Sequence, residues 1–163
     1  MQPRPAISAD VRIRGIALLD AEREEVLDAS RSVGLSVSIT FVPPRRGLGD
    51  LQWLTLVALP LHAFLSGLGD EFASDASQRL RAFVRAVLKR RQRPVTKASD
   101  LLVLQDIASG IQVVLEADLP TEGYEQLLSL DFSRFERGPL HYDRQLGGWR
   151  SELDEWKRRA SHG

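Results

Sequence analysis

Arg81, Arg85 and Lys89 stand four residues apart in "LRAFVRAVLKRR", and Arg90, Arg91, Arg93 and Lys97 follow them. On a helix, that spacing places the first three in one stripe, where like charges repel by about 0.2–0.5 kcal/mol per pair. No acid lies between Arg79 and Lys97 to relieve the repulsion. Two readings stand side by side. In one, a solvated face ends in cations that suit the negative end of a helix dipole. In the other, Arg81, Arg85, Lys89, Arg90 and Arg93 meet an anionic partner: the acidic surface of another protein, or phosphates. No aromatic residue interleaves the stripe, so a base-stacking platform and a nucleic-acid partner are not expected.

Other chemistry-bearing residues are sparse. The three histidines, His62, His141 and His162, form no HExxH or paired-His spacing, and no acidic cluster accompanies them. His62 sits in an oily stretch and reads as a hydrogen-bonded core residue. His141 and Asp143, in "LHYD", share one face of an expected strand, where the carboxylate could orient the imidazole. Asp100, Asp106 and Glu116 flank an expected hairpin and invite comparison with metal-dependent nucleases. The "EAD" at Glu116–Asp118, however, lacks the lysine such sites place two residues after the acid. "GLGD" occurs at Gly47–Asp50 and again at Gly67–Asp70, where turn and cap chemistry accounts for both copies. Without cysteine, disulfides, thiolate metal sites and cysteine nucleophiles are excluded. The sequence therefore assigns no catalytic residue, no cofactor and no metal. A small hydrolase or nuclease with an unrecognised site is one alternative.

These residues need a scaffold, and the chain supplies recognisable parts. "VRIRGIA" (Val11–Ala17) alternates as a half-buried strand does. Asp20 can cap a helix running to about Val33, with Gly34 as its left-handed stop. In "LSVSITFV", Leu35, Val37, Ile39 and Phe41 alternate with hydroxyl residues until Pro43-Pro44 ends the run. A helix is expected from Ser74 or Asp75 to about Arg93, its apolar stripe being Leu80, Phe83, Val84, Val87 and Leu88. "LLVLQDIASGIQVVLEAD" reads as a hairpin around Ser109-Gly110, with Leu102, Leu104 and Ile107 on its first arm. A short helix follows over Thr121–Leu130 with Thr121 as its cap. Beyond Asp131 the periodicity weakens, with "GPLHYD" as a further strand and "SELDEWKRRA" as a last helix. Tyr124, Phe132, Phe135, Tyr142, Trp149 and Trp156 crowd this region, either packing the tail onto the domain or forming an interface.

"LQWLTLVALPLHAFLSGLG", from Leu51 to Gly69, carries no charge. Its length reaches that needed to cross ~30 Å of hydrocarbon. Gln52, His62, Pro60 and the small residues at its end weigh against crossing. Its neighbours, a period-two strand and an amphipathic helix, both need a shared interior. The stretch is expected to be a helix, apolar nearly all round, buried in the domain or at a self-association surface. A membrane-anchored component through residues 51–69 is the remaining alternative.

The whole chain has 163 residues, with 22 basic and 22 acidic side chains. A zero net charge argues against a general nucleic-acid or membrane-surface binder. "MQPRPAISADVRIR" lacks the apolar core of a secretory signal, so a cytoplasmic protein is expected. The domain is expected to span 11–130, after a leader at 1–10 and before an extension at 131–163. The expected fold is a two-layer α+β sandwich: a mixed sheet of about four strands with three helices over one face, plus the short C-terminal extension.

The order of parts has a further implication. A strand–helix–strand opening, a glycine-flanked apolar stretch, the helix "LRAFVRAVLKRR" and a closing hairpin, together Val11 to Asp118, resemble the small effector-associated constant components of bacterial conflict systems. That resemblance implies a non-enzymatic adaptor or assembly subunit in a defence or regulatory apparatus. It carries over no functional residues.

Overall fold

A computed structural model of the chain describes residues 5–14, 20–42, 55–88, 101–136 and 138–162. The first strand, β1 (Ile7–Arg14), leads through helix α1 (Asp20–Ser32) into β2 (Leu35–Val42). β1 and β2 pair in parallel along their full length, from Ile7 opposite Leu35 to Arg14 opposite Val42. Gly34 stands between α1 and β2 at φ 80°, the left-handed stop that a residue without Cβ adopts freely. β1 begins at Ile7, so part of the expected leader is sheet.

The uncharged stretch is the main correction. It is not one helix. Thr55–Leu59 is strand β3, Pro60 is the joint, and Leu61–Phe72 is helix α2. Pro60, which has no N–H to give to a ladder, accepts the first helical bond from Phe64 N–H at 3.0 Å. β3 lies between β1, to which it is antiparallel, and β4 (Leu101–Asp106), to which it is parallel. A strand covered on both faces is apolar at nearly every position, so period alone does not separate it from a buried helix. α2 is amphipathic rather than oily all round: Leu61, Phe64, Leu65 and Leu68 are buried, while His62, Ala63, Ser66 and Asp70 are exposed. His62 is therefore a surface residue, and the second "GLGD" is helical rather than a turn. Among the described residues, no helix is long and apolar enough to cross a membrane.

α3 (Ala76–Leu88) follows α2 through a short 3-10 turn. β4 and β5 (Gln112–Glu116) form the expected hairpin, with Gly110 at φ 77° in its turn; Ile107 lies in that turn, 64% exposed, instead of on the strand. Helix α4 (Thr121–Leu128) then leads to a second hairpin, β6 (Leu140–Asp143) and β7 (Gly148–Ser151), and to a last helix, α5 (Glu152–Ser161). Pro120, not Thr121, occupies the cap position of α4, and no side chain closes it. Ser151 caps α5 by accepting from Asp154 N–H.

The α+β class is as expected, but the sheet is not. Among the described residues it has seven strands in the order β2-β1-β3-β4-β5-β6-β7, instead of about four. The strands missing from that count were β3, inside the oily run, β6, read in "GPLHYD" as a strand of the extension instead of the sheet, and four-residue β7, too short for its alternation to show. The tail thus extends the sheet. Among the described residues, four helices, α1 to α4, instead of three, cover one face.

The core lies between that helix layer and the sheet. Val11, Ile13, Val57, Leu59, Leu102, Leu104, Val113 and Leu115 meet Leu61, Phe64, Leu80, Phe83, Val84 and Leu127 there. Full burial of each such side chain contributes about 1.5–3 kcal/mol relative to exposure. A small second cluster, Leu56, Val103 and Val114, occupies neighbouring positions on the opposite face. Of the C-terminal aromatics, Tyr124 and Trp149 are buried, Phe132, Phe135 and Tyr142 pack partly against the core, and Trp156 is 72% exposed.

Candidate functional site

Helix α3 forms because its apolar residues recur at helical spacing, and the sheet orients it by burying that stripe. Leu80, Phe83, Val84, Val87 and Leu88 all face the core. The opposite side then carries the arginines. Arg85 is exposed and Arg81 half-buried, and α3 contains no acidic residue. Neither arginine forms an ion pair with a described residue; the Arg81 guanidinium makes only a long 3.5 Å contact to Thr121 Oγ1 at the start of α4. Arg79 is turned away, its guanidinium 3.8 Å from the centre of the Phe72 ring. Lys89, Arg90 and Arg93, with Arg91 and Lys97, lie outside the described residues.

Tyr124, one turn into α4, lies close to the same pair of arginines. It is 1% exposed, and its hydroxyl has no hydrogen-bond partner among the described residues. Burial pushes its pKa up to about 12, against the opposing pull of the Arg81 and Arg85 charges. The Tyr124 phenol therefore stays neutral, so it does not offset the positive charge of the arginines.

The carboxylates considered for metal or acid–base chemistry are engaged elsewhere. Asp106 ends β4 and ties three things together: it accepts from Leu61 N–H at 3.2 Å, Ser109 N–H at 3.0 Å and Ser109 Oγ at 2.6 Å. Burial raises its pKa, yet these hydrogen bonds together hold it below the ordinary 3.8. Glu116 and Asp118 both pair with Arg144, at 3.2 and 2.9 Å. Asp100 lies outside the described residues. Among the described residues, no group of three or more His, Asp or Glu side chains is placed to hold a metal.

His141 and Asp143 do share a face of β6, but no hydrogen bond between them is found among the described residues. One oxygen of Asp143 accepts from Gln145 N–H at 2.9 Å and Leu146 N–H at 3.0 Å; the other meets Arg150 at 2.5 Å. Arg150, above all, holds the Asp143 carboxyl below its usual range. Arg150 also pairs with Glu155, so it joins the β6–β7 hairpin to α5. Sequence reasoning missed Arg144 and Arg150. Each finds its acids through the pairing of short strands or the packing of a loop, neither of which leaves a periodic signal.

The described part of the candidate site is thus a small cationic surface at the junction of α3 and α4, with Arg81 and Arg85 as its charges. Comparisons with known protein families, with curated proteins and with solved structures find no match to this chain.

Proposed function

We propose that the chain is a non-catalytic protein-protein interaction module whose α3 face docks on an acidic surface of another protein. The observation that carries this reading is the pair Arg81 and Arg85: outward on a helix without acids, and unpaired among the described residues. A cation pair left without a local counter-charge raises the local positive potential and selects a negative partner. An adaptor or assembly subunit, the role implied by the resemblance to effector-associated constant components, is the particular form of this proposal. Lys89, Arg90 and Arg93, which follow in the sequence, belong to the proposed contact set by their charge alone.

A charge reversal tests it. Binding of a fluorescent poly-glutamate peptide to the full chain is measured by anisotropy over a salt series, with a duplex oligonucleotide as a phosphate control. Each exposed ion pair is worth about 0.2–1 kcal/mol, and reversal replaces attraction by repulsion. Arg81→Glu with Arg85→Glu is therefore expected to weaken the peptide at least tenfold while circular dichroism stays unchanged. Equal binding by the double variant removes the role assigned to α3, and tighter binding of the oligonucleotide redirects the surface to nucleic acid.

A further inference from the structure

Among the described residues, the two outer strands of the sheet are β2 and β7, and they are built differently. β7 has four residues, carries the ion-paired Arg150 and runs directly into α5. A short, charged edge resists the addition of another strand. β2 has eight residues in unbroken register with β1 and contains neither a charge nor a proline. Nothing in it opposes pairing.

The hydrogen bond from Ile7 N–H to Gly34 O, at 2.9 Å, sets which backbone groups of β2 face away from β1. With the parallel register, it turns Gly34, Ser36, Ser38 and Thr40 toward β1 and leaves the N–H and C=O groups of Leu35, Val37, Ile39 and Phe41 facing outward. The side chains of these four residues lie on the helix-covered face. Their cover thins along the strand: Leu35 is buried, Val37 and Ile39 are half-buried, and Phe41 is 39% exposed. At the Leu35 end lies a cavity of about 590 Å³, with Leu27, Leu35 and Phe64 on its wall beside Arg31, Ser36 and Glu71. One strand therefore carries a partly exposed ring at one end and a hollow of mixed apolar and polar lining at the other.

We propose that β2 is a self-association edge, where a second copy of this chain adds its own β2 antiparallel about a two-fold axis at Ser38. In that register Leu35 pairs with Phe41 and Val37 with Ile39 of the other copy, each pair exchanging outward backbone groups. Ser36 meets Thr40, and Ser38 meets Ser38. Every cross-strand pair is apolar on apolar or hydroxyl on hydroxyl, and no charge opposes another. The axis brings Phe41 of the second copy beside Leu35, at the cavity, and does so twice, as an isologous interface requires. Centring the axis one residue further on, at Ile39, leaves Leu35 without a partner in β2. The product is one sheet continuous across two copies.

The experiment uses the full chain, which has no native cysteine. Residues paired across a two-fold at a non-hydrogen-bonded site have Cα atoms about 4.5 Å apart, within disulfide reach. Ser38→Cys is expected to give a covalent dimer on mild oxidation, and Ser36→Cys, whose opposite number is Thr40, is not. Sedimentation equilibrium of the wild type at ~10–100 μM is expected to show a monomer–dimer equilibrium. Phe41→Lys places a charge opposite Leu35, and Ile39→Pro deletes an outward amide without touching the β1 ladder. Each is expected to weaken dimerisation at least tenfold, and Phe41→Lys to suppress the Ser38→Cys cross-link, with far-ultraviolet dichroism retained. A wild type that stays monomeric over this range overturns the proposal, as does a dimer that Phe41→Lys leaves at full strength.

Discussion

Replacing Asp106 tests whether one carboxylate holds the β4–β5 turn to the start of α2. Leu61, which is 1% exposed, begins α2 directly after Pro60, and its N–H donates to Asp106. In Asp106→Ala that buried donor loses its acceptor, at a cost of about 1–3 kcal/mol. The two bonds from Ser109 lie on an exposed turn and add roughly 0.5 kcal/mol each. The loss of about 2–4 kcal/mol corresponds to a fall in Tm of about 5–12 °C for a chain of this size. Asp106→Asn keeps a carbonyl oxygen for Leu61 and is expected to lose only about 1 kcal/mol. The pKa of Asp106 in the folded chain lies below 3.8, so the unfolded state takes up the proton first as the medium is acidified. The contribution of the ionised carboxylate is therefore complete above the ordinary value and is lost as pH falls below 3.8 through the lowered pKa. Urea titrations of wild type and Asp106→Asn, followed by dichroism from neutral pH to pH 3, read this directly. The gap between them is expected to close in acid. An Asp106→Ala protein that melts within a degree of the wild type refutes the reasoning, and so does a gap that widens in acid.

Two further outcomes are expected from the C-terminal packing. Trp149 Nε1 donates to Gly123 O at 2.9 Å in a buried site, and a Cβ on Gly123 would meet the Leu119 side chain at 3.0 Å. Trp149→Phe is expected to cost about 1–3 kcal/mol in urea unfolding, and an unchanged midpoint would show that this bond holds nothing. Tyr124→Phe removes a buried hydroxyl that has no partner among the described residues, so stability is expected to stay level or to rise by up to about 1 kcal/mol. A loss of more than about 1 kcal/mol in calorimetry would mean the hydroxyl is bonded in solution.

Much of the layout was legible along the chain. The alternation in "LSVSITFV", the apolar stripe of α3, the Gly34 stop and the hairpin at Gly110 are local patterns, and each stands in the structure where its residues placed it. Arg81 and Arg85 were legible for the same reason, because burying Leu80, Val84 and Leu88 turns the other side of the helix outward.

What failed to show in the sequence depends on neighbours distant along the chain. Thr55–Leu59 is a strand because β1 and β4 flank it; without them, an uncharged run beside a proline fits a buried helix equally well. His62 is exposed because α2 buries Phe64 and Leu65 instead. Asp106 became a helix-start acceptor, and Asp143 an arginine partner, when residues tens of positions away or across a hairpin were brought to them. The sequence by itself determined which segments had an apolar side and roughly where each began and ended. Tertiary structure alone decided which segments became neighbours, and hence the strand count and the partner of every carboxylate. The physical reason is that side-chain periodicity is set by the local backbone repeat, whereas burial on both faces and ion pairing are properties of a surface that exists only after folding.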